Sequence, residues 1–355
     1  MRRRDFVGLL VAQAGCIRTP PKPALARAAE YLWQRQDADG GWHSRTYGLL
    51  RSGQSLTPFV LDALLQVPET VLAPRPARIA QAVAFLNRNA RPDGVLGMAD
   101  PDIPDFPNYS TALAVSALCR ARRPGWEEQT ARMVAALKAQ QFTEQNGWTP
   151  AHAAYGAWGM GGARRTPPYT GHVDLSMTRH VLQALRAAGV PAADPAFTRA
   201  AVFLDRCRAA DGGFFFTTTE PDTNKAGSDG KQFRSYGSTT ADGILASLAA
   251  GARPADESVA AARQWIAARH RSLEVPGFAG EAYHRWPRGL AFYYAAAVSQ
   301  AFQELGASPG DALAGALKST QRSDGSWANA ENLVKEDDPL IATPFAVRAL
   351  LRAEL

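Results

Sequence analysis

Gln321-Arg322-Ser323-Asp324-Gly325-Ser326-Trp327 decides the fold, because the same pattern stands near the start of the chain as Gln36-Asp37-Ala38-Asp39-Gly40-Gly41-Trp42. Diverged copies lie between the two, at Arg91-Pro92-Asp93-Gly94, Asn146-Gly147-Trp148 and Asp211-Gly212-Gly213-Phe214. The glycine recurs at positions 40, 94, 147, 212 and 325, and the last interval is about twice the others, so a sixth copy is predicted at Pro276-Gly277-Phe278. Self-similarity at a fixed period indicates a repeat architecture.

Each repeat predicts two helices joined by a turn. An Ala/Leu-rich helix precedes the turn, at 24–35, 79–89, 126–140, 195–207, 258–271 and 311–319. Glycine supplies the positive φ that ends a helix, and aspartate bonds the backbone within the turn. A second helix opens on residues that suit the N-cap, namely Thr57-Pro58, Ser110-Thr111, Asp174, Ser238-Thr239-Thr240 and Thr343-Pro344. The fifth repeat departs, with Arg288-Gly289-Leu290 in that place.

Six helical hairpins can stack into an open solenoid or close into a ring. In a closed ring, the second helix of each pair lines a central cavity and the first helix forms an outer layer. The second helices at 110–119 and 290–302 are small or apolar nearly all round, which suits an inner ring that is packed on both sides.

The repeated turn resembles the QW motif of squalene and oxidosqualene cyclases, and related repeats build the β subunits of protein prenyltransferases. More closely than these enzymes, the chain resembles single-domain bacterial prenyltransferase/squalene-oxidase repeat proteins. The matching phrases are Trp158-Gly159-Met160-Gly161-Gly162, Asp174-Leu175-Ser176-Met177-Thr178, Ser235-Tyr236-Gly237-Ser238-Thr239-Thr240-Ala241-Asp242-Gly243, Gly289-Leu290-Ala291-Phe292-Tyr293-Tyr294 and Asp337-Asp338-Pro339. The resemblance implies an all-α (α/α)6 toroid as one domain over residues 24–355. It implies no established reaction.

Composition is typical of a soluble protein, with 46% hydrophobic and 20% charged residues among 355. No stretch approaches the roughly 20 apolar residues of a membrane helix. The net charge is +6, but the charges are scattered, which does not indicate nucleic-acid binding. The three cysteines, Cys16, Cys119 and Cys207, form no C-x-x-C pair, so neither a metal site nor a cofactor is predicted. We expect a monomer.

Residues 1–23 resemble an export signal followed by a linker. Met1-Arg2-Arg3-Arg4-Asp5-Phe6-Val7 is similar to a twin-arginine signal, and a short apolar run follows. Ala14-Gly15-Cys16 is similar to the end of a lipoprotein cleavage box, although Gln13 departs from it. We therefore expect a periplasmic protein, or one anchored to the membrane through lipidation of Cys16. The alternative is a basic tail on a cytoplasmic protein, or a start codon other than Met1.

The best candidates for chemistry lie where the inner helices begin, because helix N-termini meet at one mouth of a closed ring and favour negative charge. Asp242 is a candidate proton donor whose pKa a dry cavity would raise, and Asp174 or Asp337 could share its site. For Asp174 and Asp242 the alternative is a capping role in the first helical turn. His284 precedes the fifth inner helix and could face the mouth. The candidate ligand-binding residues are Tyr155, Trp158, Tyr236, Trp286, Tyr293 and Arg234.

Three functions stay open at this stage. The sequence lacks the D-x-D-D motif of class II terpene cyclases, and no Asp, Cys and His are placed as prenyltransferases place their zinc ligands. We favour a cavity that binds an apolar or isoprenoid-like ligand, with acid-initiated cyclase or isomerase chemistry, or transfer, if the protein is an enzyme. The first alternative is a binding or scaffold protein without chemistry. The second is a polysaccharide lyase or hydrolase that uses a pair of carboxylates.

Overall fold

The computed structural model describes residues 23–100 and 102–354. The predicted export signal and Cys16 therefore lie outside the described residues. Within them the chain forms thirteen α-helices and four short 3₁₀ turns, and its only extended pairings are isolated bridges. The all-α prediction is confirmed. No helix in this part of the chain has both the length and the apolar character of a membrane span.

The helices follow the predicted order of outer and inner members. In chain order they are α1 (Ala24–Gln34), α2 (Leu56–Leu64), α3 (Pro76–Asn89), α4 (Pro107–Ala121), α5 (Trp126–Ala139), α6 (Leu175–Ala187), α7 (Pro195–Arg206), α8 (Gly237–Ala250), α9 (Glu257–Arg269), α10 (Trp286–Gly289), α11 (Ala291–Glu304), α12 (Asp311–Thr320) and α13 (Pro339–Glu354). The inner helices are α2, α4, α6, α8, α11 and α13, and each packs against the next. Helix α13 packs against α2, so the ring closes as an (α/α)6 toroid.

The last repeated turn ties the end of the ring to its beginning. The Gln321 side-chain amide donates to the Gly325 carbonyl at 2.9 Å and to the Ala24 carbonyl at the start of α1, at 2.8 Å. The Trp327 indole N–H donates to the Leu317 carbonyl of α12 at 2.9 Å. A buried polar group must find such a partner, so these bonds set how the turn sits on both helices.

Glycine is required in this turn for two reasons. Gly325 has a φ of 92°, and a Cβ there would lie 2.6 Å from the Arg27 carbonyl oxygen of α1. Gly40 in the first repeat has a φ of 89°, and its Cβ would lie 2.4 Å from the Gln81 carbonyl oxygen of α3. Both the backbone conformation and the close approach to the next outer helix therefore exclude a side chain.

The third turn lies ten residues beyond the predicted Asn146-Gly147-Trp148, at Gly156-Ala157-Trp158. The Gln141 amide donates to the carbonyls of Gly156 and Ala196, both at 2.9 Å, as Gln321 does in the last repeat. The Trp158 indole donates to the Leu137 carbonyl at 2.7 Å. Residues 142–155 are an insertion that contains a second Gly-Trp pair, and this look-alike caused the wrong prediction.

Most of the predicted N-cap segments contain a threonine that forms a hydrogen bond with the repeated turn instead of capping a helix. Asp174 is an N-cap as predicted, since its carboxylate accepts from the Met177 amide at 2.6 Å. In four other repeats a threonine hydroxyl in the first turns of the inner helix accepts the amide N–H of the turn; the pairs are Thr57 with Trp42, Thr111 with Leu96, Thr240 with Phe214, and Thr343 with Trp327. These bonds fix the start of each inner helix against its turn.

Candidate functional site

A cavity of about 320 Å³ lies among the first turns of the inner helices. Most of the side chains that line it are apolar or aromatic: Leu50, Leu56, Phe59, Phe106, Tyr109, Met160, Met177, Phe216, Tyr236, Leu290, Tyr293, Val334, Ile341 and Phe345. This volume is near the lower end of the range of about 300–1,000 Å³ that ligand sites occupy. A larger groove of about 680 Å³ runs between α5 and α7 on the outside of the ring, far from the starts of the inner helices.

Asp242 is the buried acid of this cavity, with 1% of its surface exposed. The Tyr293 hydroxyl donates to Asp242 Oδ2 at 2.8 Å. Arg179 Nε lies 3.2 Å from Asp242 Oδ1, but it is not aligned for a hydrogen bond, and neither atom has another partner among the described residues. Burial raises the pKa of Asp242 to about 6, against the opposing attraction of Arg179 and the bond from Tyr293. Asp242 can therefore hold a proton in mildly acidic solution.

The hydrogen bonds around Tyr293 have a defined direction. Ser176 Oγ contacts the Tyr293 hydroxyl oxygen, and because Tyr293 donates to Asp242, Ser176 must donate to Tyr293. His180 donates from Nδ1 to the Ser176 carbonyl at 2.8 Å and accepts at Nε2 from Arg179, at 2.7 Å. Burial lowers the pKa of His180 well below its usual value. His180 is thus neutral and holds Arg179 beside Asp242.

Asp174 also lines the cavity, nearer to its mouth. Its carboxylate is 2.8 Å from His172 Nε2, and His172 Nδ1 is 2.6 Å from Glu220 Oε2. The hydrogen bond to Asp174 and the second carboxylate raise the pKa of His172, so the two carboxylates favour the charged imidazole. Asp174 also contributes to the raised pKa of Asp242, because two negative charges at one cavity repel each other. The two acids therefore differ in environment: Asp174 is hydrogen-bonded to His172 and caps α6, whereas Asp242 accepts from Tyr293 and lies beside a poorly aligned Arg179.

Two lysines stand at the mouth of the cavity. Lys225 Nζ lies 3.3 Å from the centre of the Phe216 ring, and burial lowers the pKa of Lys225 to about 8. Lys335 has a left-handed backbone with a φ of 65°, and its Nζ lies 5.7 Å from the rings of Tyr47 and Phe106. Cations over aromatic faces are attracted by the ring quadrupole, so both ammonium groups are held in place.

Two of the four predicted catalytic residues do not reach the cavity. Asp337 accepts a hydrogen bond from the Tyr47 hydroxyl at 2.5 Å and is turned toward the first repeat. His284 is exposed in a 3₁₀ turn, where its ring donates to the Glu281 carbonyl. Placing both at the mouth was wrong, because the loops before α11 and α13 carry them outward. The buried acid there is Glu336, whose pKa burial raises to about 7.

Glu336 serves as the cap of α11. Its carboxyl accepts from the amides of Phe292 and Tyr293, at 3.1 and 2.7 Å, and from the Asn329 side chain at 3.0 Å. The orphan amides at the start of a helix need such acceptors. Glu336 therefore fixes the position of the Tyr293 backbone, and the Tyr293 hydroxyl donates to Asp242.

Of the predicted ligand-binding residues, Tyr236 and Tyr293 line the cavity and the others do not. Trp158 is fully buried in the third repeated turn. The Tyr155 hydroxyl donates to Glu144 at 2.5 Å, within the inserted loop. Trp286 stacks on Phe278 outside the cavity, with ring centres 6.3 Å apart.

Arg234, the remaining predicted ligand residue, is half-buried, and its backbone amide donates to the Gly227 carbonyl, away from the cavity lining.

Sequence reasoning missed Arg179, Phe345 and Lys225. Arg179 follows Asp174 by about one turn and is a charged residue among the mainly apolar buried residues of α6, and that contrast was the available signal. Lys225 and Phe216 lie in a long loop whose path gives no periodic signal.

The described residues hold no cluster of three or more His, Cys, Asp or Glu side chains that could bind a metal ion. Cys119 and Cys207 are both buried, and burial raises the pKa of both thiols. Neither cysteine is therefore poised as a thiolate ligand or nucleophile.

Solved structures with the same architecture include a terpene cyclase. Type II terpene cyclase MstE from Scytonema is 16% identical, with a TM-score of 0.60 over 93% of this chain and 97% of that chain. Structures of MstE variants contain the substrate geranylgeranyl dihydroxybenzoate or the product merosterolic acid A. A protein from Actinoplanes is 16% identical, with a TM-score of 0.52 over 94% of this chain and 99% of that one.

A sugar enzyme is similar to the same extent. Unsaturated glucuronyl hydrolase from Bacillus sp. GL1 is 12% identical, with a TM-score of 0.60 over 93% of this chain and 95% of that chain. No family model matches the sequence, and no curated protein is significantly similar to it. At these identities the likeness establishes the fold alone. The resemblance to the terpenoid-cyclase toroid that the repeats predicted is thus confirmed for the fold.

Proposed function

We propose that this protein is an acid-initiated isoprenoid cyclase or isomerase, with Asp242 as the proton donor. The observation that carries the proposal is a fully buried carboxyl group, with a pKa raised to about 6, in the wall of an apolar and aromatic cavity. A carboxylic acid in water is too weak and too well solvated to protonate an alkene. A dry cavity favours its neutral form and brings the alkene against it.

The first step transfers the proton of Asp242 to an alkene carbon of the ligand. The π electrons form the new C–H bond, and the neighbouring carbon becomes a carbocation. A second alkene of the ligand attacks that carbocation and closes a ring. The final carbocation loses a proton to Asp174, so the product is an isomer of the substrate. Asp174 then gives up this proton to solvent and Asp242 takes one from solvent, so no co-reactant is consumed.

The aromatic residues of the cavity are placed to stabilise positive charge. The rings of Phe59 and Phe345 have centres 4.7 Å apart, and those of Phe345 and Tyr293 are 5.3 Å apart, each pair edge to face. An aromatic face attracts a cation by about 0.5–2 kcal/mol, and more strongly in a dry site. Tyr293 links this cluster to Asp242, so the aromatic faces can stabilise a carbocation that forms beside the acid.

The proposal is tested with linear isoprenoid alcohols of increasing length: geraniol, farnesol and geranylgeraniol, together with geranylgeranyl dihydroxybenzoate. The protein is incubated with each in deuterated water, and the extract is analysed by mass spectrometry. We expect a cyclised isomer with one carbon-bound deuterium from at least one of them, and none from Asp242→Asn. The matched control is Asp205→Asn, because Asp205 is an exposed acid on α7. This variant should form product at the rate of the unsubstituted chain.

Failure to cyclise any of these compounds, combined with no isoprenoid bound to protein from the native host, would reject the proposal. Formation of deuterated product by Asp242→Asn at the rate of the unsubstituted chain would reject the role of Asp242 and leave the ligand class standing. These outcomes are distinguishable because the extract of bound lipid does not depend on turnover.

A second candidate is glycoside hydrolysis, which the pair of carboxylates at one cavity supports. Such enzymes use two carboxyl groups about 5–10 Å apart, one as acid and one as base or nucleophile. The apolar lining argues against it, because sugar hydroxyls need polar partners. Release of sugar from an unsaturated glucuronyl disaccharide, lost in both Asp242→Asn and Asp174→Asn, would favour this candidate over the first.

We also propose that residues 1–23 direct export and that Cys16 is lipidated. The Arg2-Arg3 pair, the apolar run after it and Ala14-Gly15-Cys16 support this. Mass spectrometry of the protein from its native host should find an N-terminus at Cys16 with attached acyl chains. An intact Met1 would contradict it.

A further inference from the structure

A second cavity, of about 420 Å³, opens at the opposite end of the ring, among the last turns of the inner helices. We call it the arginine chamber. Its wall contains five arginines, Arg120, Arg179, Arg186, Arg348 and Arg352, and two carboxylates, Asp62 and Glu304. The central cavity and the proposed isoprenoid chemistry use none of these groups except Arg179.

Asp62 neutralises part of this charge. It pairs with Arg120 at 3.1 Å and with Arg348 at 3.0 Å, and it accepts from the Gln66 amide at 2.8 Å. Glu304 accepts a hydrogen bond from Gln300 at 2.8 Å, and burial raises its pKa, which weakens it as a counter-charge. Two carboxylates, of which only Asp62 pairs with an arginine at hydrogen-bond distance, therefore face five guanidinium groups.

The helix ends explain some of the arginines but not their crowding. The carbonyl ends of six helices carry partial negative charge, which favours cations there. Burial and the neighbouring Arg348 nevertheless lower the pKa of Arg352 to about 10, and burial lowers that of Arg348. Arg348 Nε is buried without a hydrogen-bond partner among the described residues. Buried donors without acceptors are costly unless a ligand satisfies them.

We propose that the arginine chamber binds a small polyanion with phosphate or carboxylate oxygens. The guanidinium fork matches such oxygens two at a time, and a bond between two charged groups is stronger than a neutral one. Arg120 is half exposed, so its free N–H groups reach the chamber, while Arg186 donates to the Ala249 carbonyl with only its Nε. A polyanion bound between Arg120 and Arg186 would accept hydrogen bonds from arginine N–H groups that Asp62 does not reach.

The chamber is coupled to Asp242 through Arg179. This guanidinium lines the chamber, lies 3.2 Å from Asp242 Oδ1 and donates to His180 on its other edge. Arg179 holds down the pKa of Asp242, so an anion that partly neutralises Arg179 favours the protonated acid. Occupancy of the chamber therefore increases the fraction of Asp242 that can donate a proton. This coupling rests on the proposed function, whereas the binding itself does not.

The test is calorimetric titration of the whole protein with pyrophosphate, citrate and inorganic phosphate, in buffers matched for ionic strength with potassium chloride. We expect saturable binding of one equivalent by pyrophosphate or citrate, weakened at least tenfold by Arg120→Gln with Arg186→Gln. Arg208→Gln is the matched control, since Arg208 is an exposed arginine outside both cavities, and it should bind as tightly as the unsubstituted chain. Tighter binding of pyrophosphate than citrate assigns phosphate chemistry, and the reverse assigns carboxylate chemistry.

Two results would overturn the proposal. One is the absence of saturable heat with all three anions while the protein is folded by circular dichroism. The other is an equal loss of affinity in the control and in the double variant, which would reduce the binding to general attraction to a basic surface. Either result leaves the proposal for Asp242 untouched, because cyclisation is measured without added anion.

Discussion

The two ends of the ring are made by the same six helices, yet one end is apolar and the other is cationic. At the N-terminal end, aromatic and aliphatic side chains surround Asp242, and at the C-terminal end five arginines surround Asp62. The C-terminal end follows the helix dipoles, which favour cations there. At the N-terminal end, Asp174 accepts a hydrogen bond from a helix amide, as the dipoles favour, whereas burial raises the pKa of Asp242 to about 6.

This difference shows that the toroid backbone leaves the chemistry of each end to a few inward-facing positions. Asp62 and Asp242 are both buried acids on inner helices. Asp62 has two arginine partners at hydrogen-bond distance, and Asp242 has one tyrosine and a poorly aligned arginine. The first is a structural counter-ion, and the second is the proposed proton donor. Substituting each acid in turn tests whether these two roles differ.

The largest expected effect is on turnover in Asp242→Asn. An amide has no proton to give to an alkene, so the rate of cyclisation should fall by about 10²–10⁴. The rate is measured by mass spectrometry with the isoprenoid that gives product. Bound isoprenoid should still be recovered from the variant, because the apolar walls are unchanged.

Asp62→Asn is the matched control at the other end of the ring. It should leave the rate within about twofold but lower the free energy of unfolding by roughly 2–4 kcal/mol, because Arg348 stays buried without its counter-ion. Urea titration measures this loss. A large loss of rate with unchanged stability would contradict the assignment of Asp62.

The pH dependence is the next largest effect. The folded pKa of Asp242 is raised from its usual 3.8 to about 6, and the proposed reaction needs the protonated form. The rate should be flat below about pH 5 and fall close to tenfold per pH unit well above pH 6. The same shift means that the folded state binds this proton more tightly than the unfolded chain, so this contribution to stability is present below about pH 4 and is lost as the pH rises through 6. A rate that increases between pH 6 and 8 would contradict the account.

Replacing the arginine between the two ends should move this profile. Arg179 lowers the pKa of Asp242, so in Arg179→Met the inflection should rise by about one pH unit. At pH 8 the variant should then be several-fold faster than the unsubstituted chain, relative to their limiting rates. An inflection that stays in place would show that Arg179 does not connect the two ends.

The smallest expected effect concerns the aromatic wall. Phe345→Leu keeps the volume of the cavity nearly constant but removes a face that meets Phe59 and Tyr293. We expect a rate lower by about twofold to thirtyfold, the equivalent of about 0.5–2 kcal/mol, with binding of the substrate unchanged. Val347→Leu, at a buried position of the same helix that does not line the cavity, is the control. A loss of binding equal to the loss of rate would mean that Phe345 acts only as an apolar surface.

The fold was predictable because its signal is repeated and periodic. The turn at Gln321–Trp327 and its copies fixed six hairpins, and the outer helices begin and end within about three residues of their predicted bounds. The third turn was misplaced because residues 142–155 insert a second Gly-Trp pair. That error shows the limit of a short pattern, since the glutamine that distinguishes the true turn, Gln141, stands before the insertion.

The site was predictable only where it lies close to a helix start. Asp174, Asp242 and Tyr293 were found because they lie at or within the first turns of the predicted inner helices. Asp337 and His284 precede such helices but lie on loops that turn away, and one sequence does not give the path of a loop. Lys225 was missed for the same reason.

The most direct test of the central claim is to measure whether Asp242 carries a proton in the folded protein. Infrared difference spectra between pH 5 and 8 report the carbonyl stretch of a protonated, buried carboxylic acid, and Asp242→Asn identifies which band belongs to Asp242. We expect a band that is present at pH 5, titrates with a midpoint near 6 and is missing from the variant. The band of Glu336, with its pKa of about 7, should remain in both proteins. Spectra of the two proteins that do not differ across this range would show that Asp242 does not titrate between pH 5 and 8, and would contradict the midpoint near 6 that its role as the proton donor requires.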